Sequence, residues 1–456
     1  MTKPVVIVGA GITGLATAWF LRRDDPQCEV VVVDADTRAG GKIRTERFDG
    51  GTVELGPDAF IARVPEGVDL CKAVGLDDLV APSAGKAFLW TRGQVRPLPD
   101  GLVLGLPTEL TAVARSGILT PLGLARAGLD MVLPKTAANG DRSVGALVRA
   151  RFGNQVHERL VDPLLGGIHA GDTDHLSVDA TAPQLAAAAR THRSLLLGLR
   201  SSAPATASSP NPAPVFLTPR AGLGTLVDRL AEGLDIRLGT TVAGVEREGD
   251  EWRVGLATGE TIDARAVVLT APAYGTAGLI RPLAPDVARS LEAIDYASVA
   301  LVVMAYGRNA VPRPLAGSGF LVPRRDGRLM TACSWASAKW PHWQHNDHVL
   351  LRVSAGKAGD VRAMQLDDDA LVAHLHGELA EAMGFTAPPL TTRVARWPRS
   401  FPQYTVGHLD RVASIEAGLA AAAPGLLVAG AAYRGVGIPA CIAQGAAAAA
   451  KLRQTG

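Results

Sequence analysis

The run VVIVGAGITGLATAWFLRR, residues 5 to 23, decides the fold. Four β-branched residues in a row read as a buried parallel strand, and residues 12 to 23 read as a helix packed on it. Between them Gly9, Ala10, Gly11, Ile12, Thr13 and Gly14 spell G-x-G-x-x-G. The first glycine permits the tight turn, the second lets a pyrophosphate approach the backbone, and the third lets helix and strand pack closely. The next strand, CEVVVVD at 28 to 34, ends in Asp34, 20 residues past Gly14, where a carboxylate accepts ribose hydroxyls. A tight turn without a ligand is the plainer alternative. Strand, turn, helix, strand and acid in register favour a bound dinucleotide.

Two further turns lie just downstream. GGKIRTE (40 to 46) sets Gly41, Lys42 and Arg44 beyond the ribose-binding acid, where backbone and positive charge meet a passing pyrophosphate; a solvated Gly-Gly turn is the ordinary alternative. ELGPDAF (54 to 60) offers Gly56, Pro57, Asp58 and Ala59 as a turn able to bring backbone amides against a ring system. Far away, behind the strand-like GLLVAG, the chain repeats the pattern in GAAYRGVGIPACIAQG, residues 430 to 445, with an Ala-rich helix expected at 440 to 453. A nicotinamide enzyme needs one such turn. Two suit a longer cofactor held from both ends, the second turn offering amides of Val436, Gly437 and Ile438 and a helix N-terminus.

Composition sets the bounds. At 456 residues, 47% hydrophobic and 20% charged, the chain is long enough for two or three domains with real cores. Its 46 basic and 44 acidic side chains leave a formal charge of +2, which argues against a nucleic-acid partner. Cys28, Cys71, Cys333 and Cys441 stand far apart, without a zinc or disulfide pattern. No signal-peptide pattern precedes the first strand, and no apolar run reaches the roughly 18 residues of a membrane span. A cytoplasmic protein is expected. The apolar stretch 98 to 134 leaves a weak peripheral membrane contact open, although core packing of its helices is preferred.

The organisation expected is α/β: a Rossmann-like dinucleotide domain, a mixed-sheet substrate domain and a helical insertion. Residues 1–75, 215–275 and 395–456 form the first, 276–394 the second and 76–200 the mainly helical insertion. SSAPATASSPNPAP, within 201–214, reads as a flexible linker. A β-meander precedes a buried strand at 266 to 271, and further strands are expected at 298 to 305 and 348 to 353.

VVIVGAGITGLATAWFLRR, Asp34, GGKIRT and the C-terminal glycine-rich unit together resemble the flavin-dependent amine oxidase superfamily, of the amine oxidase/p-hydroxybenzoate hydroxylase fold type. The resemblance implies FAD lying extended, its pyrophosphate at the first turn and its ring near the last. RFGNQVHERLVDPLLGGIHAGD (151 to 172), TPRAGLGTLVDRL (218 to 230), RWPRSFPQYTVGH (396 to 408) and GAAYRGVGIPACI (430 to 442) narrow it to the oxygen-dependent porphyrinogen oxidases of heme synthesis. It runs through nearly the whole chain, weakest at 80 to 140 and 200 to 215. Such enzymes oxidise coproporphyrinogen III in soluble bacterial forms and protoporphyrinogen IX in membrane-associated ones. The Ala- and Arg-rich composition resembles the actinobacterial type and favours the former.

By the same resemblance Val242 contacts the adenine side through its backbone and Trp397 lies near the flavin. The alternatives are a plain strand residue and core packing. Asp34 stands where many relatives carry Glu, and Ala440 where an Asp is usual, which would weaken a helix cap. No Ser-His-Asp or Cys-His set appears, so no protein residue is assigned a catalytic role; flavin N5 accepts the hydride, and molecular oxygen returns as hydrogen peroxide. A greasy macrocycle with propionate arms calls for an apolar pocket with cations at its rim. Arg63 is the propionate candidate and Ile168 the residue to pack on the ring, against a surface Arg and a core Ile. His169 reads as pocket wall rather than base. His342, His345 and His348 read as a solvated loop rather than a metal site. A downstream enzyme of heme synthesis is a partner the resemblance allows. The alternatives are a protoporphyrinogen IX oxidase, an amine oxidase or carotene desaturase, and a nonenzymatic relative of GDP-dissociation inhibitors.

Overall fold

The computed structural model describes residues 3–454 except 84, 136–139, 202–212, 312–313 and 345. Most of the expected linker therefore lies outside the described residues, as does His345. A five-stranded parallel sheet carries the strands Asp235–Arg237, Val30–Val33, Val5–Val8, Ala266–Leu269 and Leu426–Val428, in that order. Val5–Val8 is its centre, with Val6 level with Val31 on one side and Val267 on the other. Both faces of these strands are covered, which is why they read as unbroken apolar runs.

Period-two alternation divides the strands between two cores. Val5, Ile7, Val30, Val32 and Val268 face the helix Ile12–Asp24 and the C-terminal helix Ile438–Gln454. Val6, Val31, Val33, Val267 and Leu269 face the antiparallel meander of Val242–Glu248, Glu251–Leu256 and Thr261–Ala264. The two helices touch through Gly445, where a Cβ would come 2.8 Å from the carbonyl oxygen of Thr13.

A seven-stranded mixed sheet forms the second layer, in the order Thr391–Pro402, Tyr296–Gly307, His348–Ala355, Met330–Ser334, Gly319–Leu321, Ala87–Thr91 and Gln94–Pro97. The last two strands come from within 76–200, the range expected to be mainly helical, and extend the substrate sheet. Their hairpin turns at Arg92 and Gly93, both left-handed (φ 53° and 72°), the pairing a two-residue type I′ turn requires. Arg in place of the usual Asn or Asp hides that turn in the sequence. Helices do dominate from Leu110 to Ser201 and share one core around Leu147, Val148, Leu160 and Leu185.

Candidate active site

One cavity of about 1090 Å³ runs between the two sheets. At one end stands the first turn. Gly9 is left-handed (φ 113°), and a Cβ on Gly14 would lie 1.9 Å from the carbonyl oxygen of Gly9. An added Cβ at Gly11 meets nothing within 4 Å, so the turn is bare on its cavity side. Asp34 clamps it: the amides of Ala10 and Asp36 donate to its carboxylate at 2.6 and 2.8 Å. Gly9, Gly11, Ile12, Thr13 and Asp34 line the cavity; Ala10 and Gly14 stand behind them.

Gly41 closes against Gly11, where its Cβ would come 3.3 Å from the neighbouring Cα. Lys42 lines the cavity, and desolvation by the surrounding protein lowers its pKa. Arg44 turns away from the cavity to pair with Glu46. Gly56, Pro57, Asp58 and Ala59 all line the cavity. A Cβ on Gly56 would lie 1.9 Å from the carbonyl oxygen of Lys42, so these two turns stack backbone on backbone.

The 54–58 turn is tied to distant parts of the chain. Buried Glu54 accepts from the Thr45 hydroxyl at 2.9 Å and the Leu223 amide at 2.6 Å. Burial still pushes its carboxyl up to about 7. The carbonyl oxygen of Leu55 accepts from the Trp397 indole at 2.7 Å, and that of Gly56 from Arg352. Asp58 accepts from Lys339 at 2.7 Å and the Trp340 indole at 3.1 Å, with Arg352 at 3.5 Å. Burial alone would raise the Asp58 carboxyl; the two cations outweigh it and hold it far below the usual range.

The C-terminal turn adds Val436, Gly437, Ile438 and Cys441 to the cavity lining. Its shape is set by Tyr404, whose hydroxyl accepts from the Gly435 amide at 2.8 Å and donates to the Ala431 carbonyl at 2.7 Å. His408 stacks on Tyr404 at 3.9 Å and meets the Tyr433 carbonyl at 2.8 Å. Ala440 is the third residue of the helix rather than its cap, which corrects the expected capping defect. Val242 and Trp397 both line the cavity, on the meander and the mixed sheet respectively.

The far end is broad and mostly apolar, with Ile168, Val299, Leu301 and Val322 in its wall. Ile168 is 55% exposed, an apolar surface presented to the cavity. It follows a ten-residue π-helix, His157–Gly166, that accommodates Pro163 and sets Asp162 in the wall. Buried His157 meets the Thr173 hydroxyl at 2.8 Å, which donates to Asp162 at 2.7 Å. His169 stands outside the cavity lining, behind Ile168, rather than in the pocket wall; its ring centre lies 6.3 Å from that of Tyr404, and burial lowers its pKa to about 4.

Arg63 is exposed and outside the cavity lining, so the structure does not bring it to the site. The cations there are Arg324, Arg352, Lys357 and Arg399, which the sequence reading missed. Only the left-handed glycines around Lys357, Gly356 (φ 93°) and Gly359 (φ 78°), signalled a turn after a strand. His348 bonds to Asp49 at 2.8 Å, and no metal-ligating cluster occurs among the described residues.

A parallel sheet with paired glycine turns, opening with a mixed sheet onto one long cavity, defines a dinucleotide-binding oxidoreductase of the extended-cofactor class. The chain belongs to the flavin containing amine oxidoreductase family, whose model matches residues 12–453. It is 37% identical to a coproporphyrinogen III oxidase of Bacillus subtilis, covering 98% of this chain and 97% of that protein. It is 35% identical to one of Mycobacterium tuberculosis (strain H37Rv), covering 96% and 94%. A solved structure from Exiguobacterium sp. 255-15, assigned provisionally to protoporphyrinogen oxidase, covers both chains fully with a TM-score of 0.90 and 33% identity. These similarities span bacterial groups and do not single out an actinobacterial type. FAD is the family's cofactor, and the residues fit it: the bare face of Gly11, the stacked turns at Gly41 and Gly56, and the length of the cavity leave room for a dinucleotide.

Proposed function

We propose that this protein oxidises coproporphyrinogen III to coproporphyrin III, using FAD and molecular oxygen and releasing hydrogen peroxide. What carries the reading is one cavity with two different ends, a backbone-lined cradle and a broad apolar chamber edged by cations. Near-full-length relatives named coproporphyrinogen III oxidase support it at 33–37% identity. The Ala- and Arg-rich composition supports the actinobacterial form, and four scattered cysteines without a disulfide pattern support the cytoplasm as its site of action, where a downstream enzyme would receive the product.

Bound FAD supplies the two-electron acceptor that carbon–hydrogen oxidation at a meso position requires. The chain's own part is positioning. The Gly9 to Gly14 turn and the Gly41–Lys42 turn would hold the pyrophosphate, Asp34 the ribose, and Val242 the adenine side. Gly56 to Ala59, Trp397 and Val436 to Ile438 would set the ring, and Ile168 would pack on the macrocycle. The largely apolar chamber excludes water from the reacting carbon, and the pyrrole N–H proton departs without a dedicated protein base.

Aerobic turnover of the FAD-loaded protein with coproporphyrinogen III and, separately, protoporphyrinogen IX tests this, following porphyrin fluorescence and peroxide together. Preference for the first with peroxide formed supports the reading. Preference for the second supports the protoporphyrinogen oxidase alternative, which the Exiguobacterium likeness favours. No porphyrin from either, with oxidisable flavin present, rejects both.

A further inference from the structure

We propose that Lys357 is the carboxylate-reading group of the chamber, holding a propionate that coproporphyrinogen carries and protoporphyrinogen replaces with a vinyl group. The proposal rests on the porphyrinogen reading above and names the side chain that sets the substrate class.

The cavity cations differ in what already occupies them. Arg352 pairs with Asp58 and donates to the Gly56 carbonyl. Arg324 donates to the carbonyls of Gly171 at 3.0 Å and Ala358 at 3.1 Å, and so serves as a strut between two loops. Lys42 stands at the cofactor end beside Gly41. Arg399 lies at the exposed mouth, its guanidinium 3.7 Å from the centre of the Tyr274 ring. Lys357 alone among these is half-buried in the chamber with no carboxylate within 4.0 Å among the described residues.

Its acidic neighbours Asp360 and Asp162 both lie beyond ion-pair distance of it. Asp360 is held by Arg362 at 2.7 and 2.9 Å, and Asp162 accepts from Thr173. Removing an ammonium partly from water without a partner is costly, and an anionic ligand arriving there recovers that cost. Burial and the nearby Arg324 charge lower the Lys357 pKa, a destabilisation of the ammonium that a carboxylate placed beside it would offset.

The backbone beneath it is rigid. Gly356 is left-handed and its Cβ would lie 2.4 Å from the Ser298 carbonyl oxygen, while the amide of Ala358 donates to the Ala170 carbonyl at 2.7 Å. That second bond places Lys357 beside the wall segment that presents Ile168. Apolar surface and cation thus lie together, as a macrocycle face and its propionate arm require.

Protoporphyrin bears two propionates and coproporphyrin four, so the test is differential. Equilibrium binding of coproporphyrin III and protoporphyrin IX to FAD-loaded full-length protein is measured by porphyrin fluorescence, for the unmutated chain, Lys357→Met and Lys357→Arg. The expected result for Lys357→Met is coproporphyrin affinity about tenfold weaker, the loss of one charge-assisted hydrogen bond, with protoporphyrin affinity within about twofold of the unmutated value. Lys357→Arg keeps the preference. In turnover the Lys357→Met effect falls on KM for coproporphyrinogen rather than kcat. Equal weakening of both porphyrins, or no change in either at unaltered flavin content, overturns the assignment of Lys357 alone. Absence of coproporphyrin binding and oxidation by the unmutated chain overturns the functional reading along with it.

Discussion

Two glycine turns face the same cavity and are built in opposite ways. The 9–14 turn is self-contained: Gly14 closes on Gly9, five residues away, and Asp34 on the neighbouring strand clamps Ala10. The 54–58 turn follows a local hairpin, yet most of its side-chain support comes from far along the chain. Glu54 depends on Thr45 and Leu223, Leu55 on Trp397, Gly56 on Arg352, and Asp58 on Lys339, Trp340 and Arg352. The first is shaped by sterics, the second by buried charge drawn from the other sheet. A turn of the first kind needs its own residues and neighbours from one sheet; one of the second kind also draws on the other sheet.

Breaking the steric turn has the largest expected effect. Gly14→Ala places a methyl group inside the van der Waals radius of a backbone oxygen, with no flexible neighbour to yield. The expected outcome is a loss on the order of 5 kcal/mol in stability and near-absence of bound flavin, read by chemical denaturation and by flavin released per chain. Retention of stoichiometric flavin would show that the turn relaxes.

The charged turn is broken next. Asp58→Asn leaves Lys339 and Arg352 partly buried without their carboxylate, with an expected loss of about 3 to 5 kcal/mol near neutral pH. Because the native pKa is depressed, the Asp58 contribution is present above the unfolded-state value and lost as pH falls through the acid range toward the native one. The gap between variant and unmutated protein should therefore narrow below about pH 4 in denaturation curves. A gap independent of pH would assign the loss to packing instead.

Glu54 sharpens the contrast from the other side. Its native pKa is raised to about 7 from 4.5, so the unfolded chain ionises first as pH rises between those values and stability falls across that window. Glu54→Gln removes this slope, a relative gain above pH 7 of at most about 3 kcal/mol, checked by comparing denaturation midpoints at pH 5 and pH 8. Equal differences at both pH values would place the titration elsewhere.

The same contrast explains what the sequence made legible. The parallel sheet, the first turn, Asp34 and the C-terminal strand and helix follow from β-branched runs and glycine spacing, which act over a few residues. Gly56 and Trp397 were picked out by motif, yet the bond from the Trp397 indole to the Leu55 carbonyl spans 342 residues and leaves no local trace. The Ala87–Thr91 hairpin was hidden because Arg92 occupies a left-handed position that usually announces itself as Asn or Asp. Lys357 was missed for a plainer reason: one lysine among many basic residues acquires meaning only when the cavity around it and the occupied state of its neighbours are known. Arg63, adjacent to a true lining segment, shows the converse error.

The bonds from Tyr404 to Gly435 and Ala431 have a further consequence for how the molecule is made. On the ribosome, the strand Val5–Val8 and its glycine turn emerge long before residues 426–445, which supply an edge strand of the same sheet and part of the cleft lining. Until that segment has been translated and Tyr404 has fixed it, the early turn faces open solvent and the helix Ile12–Asp24 lacks its neighbour at Gly445. The cleft is therefore complete only when the last-made segment has joined the sheet.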